Sequence, residues 1–217
     1  MTHILEADSI QLEFKGRKIL SSVYLKCETG KITGLLGRNG QGKSCLMNII
    51  FGSLACEKSV RVDHLAQYAL LKRPDLLRFQ PQFHFIPRSL SLKIIFRDFH
   101  LDFGHFEKWF PEYAGNYKSA VGTLSGGGQK LVELYSVLKA PALFAMLDEP
   151  FTHLSPLQAE KVKDLLLEEK VNKGLLITDH LFRYITGISD LVYVLDNGRT
   201  HLTKSLDDIE TLGYANL

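Results

Sequence analysis

Apolar and polar positions change period several times along the chain. Near the N-terminus "ILEADSIQLEF" alternates in part, as a half-buried strand does, and "RKILSSVYLKC" follows a Gly-Arg turn as a second strand. "KITGLLG", Lys31 to Gly37, is a short apolar run closed by glycine, the pattern of a strand buried on both faces. The period then lengthens. In "KSCLMNIIFGSL" the residues Leu46, Ile49 and Ile50 share one helical face. Residues 53–80 carry no clear period. "LSLKIIFRDF" and "GHFEKWF" read as two short helices separated near Gly104.

The second half is more regular. "QKLVELYSVLKA" reads as an amphipathic helix, with Leu131, Leu134 and Leu138 at helical distance. "ALFAMLDEP" is a strand ending in two acids. "SPLQAEKVKDLLLEEKV" is a helix with Ser155 as N-cap and Pro156 at its first position. "KGLLITDH" is a further strand, and "DLVYVLDNGRTHL" is a hairpin turning at Asn-Gly. Strands that alternate with helices predict an α/β core with parallel strands, and the antiparallel start predicts an added β layer.

Composition narrows this picture without redirecting it. The 217 residues suffice for one large domain, with 45% hydrophobic and 23% charged positions. A formal net charge of +2 gives no argument for a nucleic-acid partner. No apolar run reaches the roughly 18–20 residues that span a bilayer, and the N-terminus has no signal-peptide core. Cys27, Cys45 and Cys56 lack metal-type spacing and read as reduced thiols.

The chemistry concentrates in "GRNGQGKS", Gly37, Arg38, Asn39, Gly40, Gln41, Gly42, Lys43 and Ser44, with Cys45 next in the helix. It fits the phosphate-loop spacing G-x-x-x-x-G-K-[ST] between a strand and a helix. Glycines let successive backbone N–H groups turn toward phosphate oxygens, and the helix N-terminus adds positive potential. Lys43 would reach the β- and γ-phosphates and Ser44 would hold Mg²⁺. A glycine-rich turn that binds nothing is the plainer alternative. Asp148 and Glu149 arrive at the C-terminal end of a strand, where open α/β sheets bind ligands. Asp148 would act on the Mg²⁺ shell, and Glu149 would orient or deprotonate the attacking water.

The order GRNGQGKS, a glutamine, LSGG, LDEP and a histidine after a strand resembles the ATP-binding cassette (ABC) family over nearly the whole chain. It is similar to the short bacterial subunits of the lipopolysaccharide-export and branched-chain amino-acid type. The resemblance implies a P-loop NTPase of α/β class: an ABC-type core, an N-terminal antiparallel β layer and a reduced helical subdomain. Residues 1–217 would form a single nucleotide-binding domain, with approximately 83–137 as the inserted helical part. It implies that Phe14 stacks on adenine, that Gln82 senses Mg²⁺ and the attacking water, and that His180 bonds the γ-phosphate. Gln80 competes with Gln82, which "PQ" followed by "RSLSL" favours. Ser125, Gly126 and Gly127 would meet the ATP held by a second subunit.

Two positions depart from the family pattern. Gly128 stands where the family has Gln or Glu, so the helix start is in question, and Ser155 stands where it has Asp. The resemblance implies an ATP- and Mg²⁺-dependent hydrolase driving a transmembrane permease through dimer closure, homo- or heteromeric. It would lie on the cytoplasmic, inner face of the membrane. A regulatory or assembly module with weak turnover, or a soluble non-transport ATPase, is the alternative. Phe96, Phe99, Phe103, Phe106, Trp109, Phe110 and Tyr113 crowd the reduced subdomain. Most would be core; one or two are expected to line the groove that receives the permease.

Overall fold

The computed structural model describes residues 1–203 and 205–211. β1 (Ile4–Phe14) and β2 (Arg17–Glu28) form a long antiparallel hairpin. The turn is Lys15-Gly16, both at positive φ (48° and 80°), and Arg17 is already in β2. The Gly-Arg turn expected from the sequence is therefore one residue out of place. The left-handed pair matches the twist of the two strands, and Gly16 suits it best.

β3 (Ile32–Leu36) is followed by the phosphate-type loop and α1 (Lys43–Phe51). The stretch without a clear period contains β4 (Glu57–Val62), β5 (Leu65–Ala66) and β6 (Leu77–Gln80). Then come α2 (Leu92–Asp98), α3 (Phe103–Trp109), α4 (Gly126–Lys139) and β7 (Phe144–Asp148). The chain continues with α5 (Pro156–Glu169), β8 (Gly174–Thr178), α6 (Phe182–Ile188), β9 (Leu191–Asp196), β10 (Arg199–Thr203) and α7 (Leu206–Thr211).

Two sheets result. The first is antiparallel, in the order β2-β1-β4-β5; the second runs β10-β9-β3-β8-β7-β6. Within the second, all pairs are parallel except β9 with β10. β3, β7 and β8 are buried at every residue, which is why they read as unbroken apolar runs. One core lies between the two sheets and encloses Leu46, Met47, Ile49 and Ile50 of α1. The other joins the far face of the large sheet to α2 through α6. This stacking sends the C-terminal ends of β3, β7 and β8 to one edge, the edge where such sheets bind ligands.

Three local expectations change. The break between α2 and α3 falls at residues 99–102, and Gly104 lies inside α3, whose N-cap Asp102 accepts the Gly104 amide at 2.8 Å. α4 is buried around its whole circumference from Gly128 to Leu138, not amphipathic, because it is sandwiched between the sheet and α5. It also starts at Gly126, with Ser125 as N-cap, so Gly128 does not delay the helix. Ser155 does cap α5. Its hydroxyl accepts the Gln158 amide and the Gln158 side chain accepts the Ser155 amide, a reciprocal capping box.

Of the seven aromatics, Phe96, Phe103, Phe106, Phe110 and Tyr113 are buried around Tyr135 of α4, while Phe99 and Trp109 are half-buried. Phe99 lines a cavity of about 330 Å³ with Phe51, Phe79, Phe85, Leu71 and Arg78. No helix among the described residues is long and apolar enough to cross a membrane.

Candidate active site

The loop after β3 wraps a lysine. Gly40 and Gly42 hold φ of 82° and 101°, and Gly42 is the residue from which α1 springs. A side chain at Gly42 would be strained and its Cβ would lie 2.9 Å from Ile19, so only glycine fits. Lys43 is buried, and its ammonium donates to the carbonyls of Gly37 (2.7 Å) and Arg38 (3.3 Å). Burial lowers its pKa, which Glu149, Asp148 and Asp179 partly oppose. A phosphate there would replace carbonyl dipoles with full charge at a half-desolvated ammonium, a stronger pairing.

A cleft of about 500 Å³ opens over this loop. It is lined by Phe14 and Ile19 from the hairpin, by Asn39, Gly40, Gly42, Lys43, Ser44 and Cys45, and by Gln82, Glu149 and His180. Residues up to 166 positions apart in sequence thus converge, from Phe14 to His180. Phe14 is 47% exposed at the end of β1, an available aromatic face. Gly37, Arg38 and Gln41 belong to the same loop without lining the cleft. Ser125, Gly126 and Gly127 do not line it either; they form the N-cap and first turn of α4.

Glu149 follows β7 with φ 52°, a left-handed conformation that costs a non-glycine residue about 1 kcal/mol. Its amide donates to Thr178 at 2.8 Å, which fixes the kink against β8. Gln82 Nε2 donates to Glu149 Oε2 at 2.9 Å, and Thr152 Oγ1 donates to the same oxygen at 3.3 Å. His180 Nδ1 lies 3.9 Å from it. The rival Gln80 is fully buried within β6 and its amide meets no partner, and of the two glutamines it is Gln82 that lines the cleft.

Asp148 is buried beneath the cleft, and burial raises its pKa, against a hydrogen bond from Ser44. Its Oδ1 has no hydrogen-bond partner. A buried, orphaned carboxylate oxygen beside a hydroxyl is an oxygen-only donor set suited to a hard cation. Among the described residues no cluster of three or more His, Cys, Asp or Glu could hold a metal. An ion here would therefore complete its shell from water and phosphate oxygens, as Mg²⁺ commonly does.

Further residues support the site that the sequence did not single out. Asp179 is fully buried; its carboxylate accepts the amides of Phe151 (3.1 Å) and Leu181 (2.9 Å), pinning the segments that carry Glu149 and His180. Lys130 of α4 donates to the carbonyls of Pro81 and Gln82 at 3.4 and 3.3 Å. One turn on, Glu133 accepts the amides of Phe85 and Ile86 at 2.9 and 3.1 Å and pairs with His84 at 3.0 Å. α4 therefore holds the Gln82 loop on both sides. The only signal was polar residues interrupting an otherwise apolar helix.

Residues 20–152 match the model of the ABC transporter family. The chain belongs to the ABC transporter family. It is 28% identical to an uncharacterized ABC transporter ATP-binding protein, YthP, of Bacillus subtilis (strain 168), over 97% of this chain and 90% of that one. It is also 28% identical to the lipopolysaccharide export system ATP-binding protein LptB of Escherichia coli (strain K12), over 89% of this chain and 87% of that one. Its fold is that of an ATP-binding subunit of an ABC transporter, with TM-score 0.80 at 21% identity over 97% and 94% of the two chains. A nucleotide-free ATP-binding cassette superposes with TM-score 0.77 at 23% identity, over 97% and 94%. As an ABC protein the chain is a nucleotide-binding ATPase subunit, and the matches favour this over a regulatory module or a non-transport ATPase.

Proposed function

We propose that the chain binds Mg-ATP in the cleft over Lys43 and hydrolyses it at a site completed by a second ABC subunit, thereby powering a transmembrane permease. The observation that carries this reading is the convergence of Gln82 and Glu149, 2.9 Å apart, on the cleft that holds Lys43 and Ser44. The whole chain acts as one nucleotide-binding domain, with residues 83–137 as its helical subdomain.

Each residue has a role that its surroundings support. The adenine rests on the exposed face of Phe14. The amides of the Gly37–Cys45 loop and the Lys43 ammonium take the phosphates. Ser44, Asp148 and Gln82 would hold Mg²⁺, which when bound neutralises phosphate charge. Glu149 orients and deprotonates the attacking water, with its carboxylate set by Thr152. His180 steadies the γ-phosphate. Glu149 is engaged by Gln82 here, so a Gln82 side chain that also held Mg²⁺ would have to give up this contact, which would leave Oε2 free for water.

Ser125, Gly126 and Gly127 serve the ATP of the facing subunit. Their exclusion from the chain's own cleft supports this, as does the exposure of Ser125 and Gly126 at the N-terminus of a 14-residue helix. The permease docks at the inner face of the membrane, on the cavity lined by Phe51, Phe79, Phe85 and Phe99. Association of the Glu149→Gln chain, followed by light scattering as ATP is added, tests the shared site. Dimers that form with ATP and are lost in Ser125→Ala are expected. Association indifferent to both ATP and Ser125 would rule the shared site out.

A further inference from the structure

Lys130 is a second buried lysine beside the cleft, 3% exposed at the start of the second turn of α4. Among the described residues it has no ion-pair partner. Its ammonium donates instead to three backbone carbonyls, of Pro81 at 3.4 Å, Gln82 at 3.3 Å and Asp148 at 3.5 Å. An ammonium carries three N–H donors, so this set uses all of them. Burial pushes its pKa down, and the charges of Glu133, Asp148, Glu149 and Asp179 oppose this without touching it. A buried charge with no paired carboxylate is costly, and a methionine of similar length would avoid that cost. The three oxygens it gathers give the charge a use.

Those oxygens belong to the peptide units that aim the two side chains of the site. The Pro81 and Gln82 carbonyls lie in the peptides before and after the Gln82 α-carbon, so together they fix how that residue is turned. Among the described residues, 82–84 take part in no backbone–backbone hydrogen bond, so this stretch has no ladder of its own to hold it. The Asp148 carbonyl lies in the same peptide as the Glu149 amide. That unit is gripped at both ends, its oxygen by Lys130 and its N–H by the Thr178 carbonyl at 2.8 Å. The left-handed turn of Glu149, φ 52°, follows directly. Gln82 Nε2 and Glu149 Oε2, 2.9 Å apart, thus project from two segments, 67 residues apart in sequence, that share one ammonium.

We propose that Lys130 is a positioning residue for hydrolysis: its ammonium holds the backbone on both sides of Gln82 and the backbone that leads into Glu149, and so sets the two side chains against each other. The inference rests on the reading of Glu149 as the residue that acts on water. It separates Lys130 from Glu133, which accepts the Phe85 and Ile86 amides and supports the loop farther along. Lys130 acts at the two reacting segments and leaves the Lys43 loop, where nucleotide would bind, untouched.

The test is a double-mutant cycle of Lys130→Met and Glu149→Gln in the full chain, read by phosphate release from Mg-ATP, by ADP affinity and by hydrogen exchange at the Glu149 amide. Methionine keeps the length of the side chain and removes every donor. We expect kcat to fall about tenfold, the low end for a charged hydrogen bond, with KM for ATP and ADP affinity unchanged. Exchange at the Glu149 amide should quicken, and phosphate release should fall no further when residue 149 is already glutamine. Should Lys130→Met not fold, Lys130→Gln keeps two donors without the charge and should move the same readouts in the same direction. Wild-type kcat, unaltered exchange at Glu149, or losses that multiply independently in the cycle would overturn the proposal. If Glu149→Gln slows phosphate release and the Lys130 variant does not, only this inference fails. If Glu149→Gln itself releases phosphate at the wild-type rate, the reading beneath it fails too.

Discussion

Glu133→Ala should unfold the chain more easily and do so through the loop that carries Gln82. Glu133 is 1% exposed, and its Oε1 alone accepts two backbone amides, Phe85 at 2.9 Å and Ile86 at 3.1 Å. Its other oxygen meets His84 Nδ1 at 3.0 Å. Alanine removes both amides' acceptor at once. The Ile86 amide is buried, and a buried unpaired donor costs about 1–3 kcal/mol. The Phe85 amide is part-buried and recovers some of its loss from water. The sum is about 2–4 kcal/mol. Glu133→Gln keeps a carbonyl oxygen in the place of Oε1 and should cost no more than about 1 kcal/mol. Urea unfolding followed by far-UV circular dichroism measures both, as a shift of midpoint at constant slope. A Glu133→Ala midpoint equal to wild type, or equal losses in the two variants, would refute the argument. The same variant should lower kcat while ADP binding at Lys43 persists, because residues 81–86 are what it loosens.

Two further outcomes follow from buried ionisable groups. Burial raises the folded-state pKa of Asp148, so the native chain is stabilised while that carboxyl is protonated and loses this as pH rises through the folded value. Asp148→Asn should therefore melt higher than wild type near pH 7, with the gap closing as pH falls toward about 3.8, and should lose Mg²⁺-dependent hydrolysis; a lower melting point near pH 7 would contradict this. Burial pushes the Cys27 thiol up to about 12, and it raises Cys45 and Cys56 too. Alkylation near pH 8, mapped by mass spectrometry, should spare Cys27 in the folded chain and modify Cys45 slowly, with ATP protecting Cys45 because it lines the cleft.

Much of the site is legible because its signals are local. The spacing of Gly37, Gly42, Lys43 and Ser44 marks the loop between β3 and α1 that wraps Lys43. Ser155-Pro156 carries the start of α5, and Asn197-Gly198 carries the β9–β10 hairpin, with φ of 46° and 77° at the turn. Where tertiary packing decides, the pattern misleads. α4 shows an apolar stripe, yet Gln129, Lys130, Glu133 and Ser136 are buried along with its leucines. Each of the first three is satisfied by backbone from the Gln82 loop or the preceding turn, which no helical period reveals. β4 alternates weakly because Lys58, Ser59 and Arg61 are only partly exposed. Its partner β1 lies 46 to 57 residues earlier (Gln11↔Glu57 to Leu5↔Val62), a pairing that local pattern does not carry. The break at residues 99–102 escapes for a related reason: Gly104 is a poor helix former, but the Asp102 cap holds it in α3.

In the proposed function Glu149 is the residue that acts on water. Phosphate release from ATP with Mg²⁺, compared between the wild-type and Glu149→Gln chains at equal ADP affinity, tests it most directly. Glutamine keeps a bond to Gln82 but has no carboxylate to take a proton. Turnover should fall by about 10²-fold or more while nucleotide binding is preserved. Undiminished phosphate release by Glu149→Gln would contradict the account.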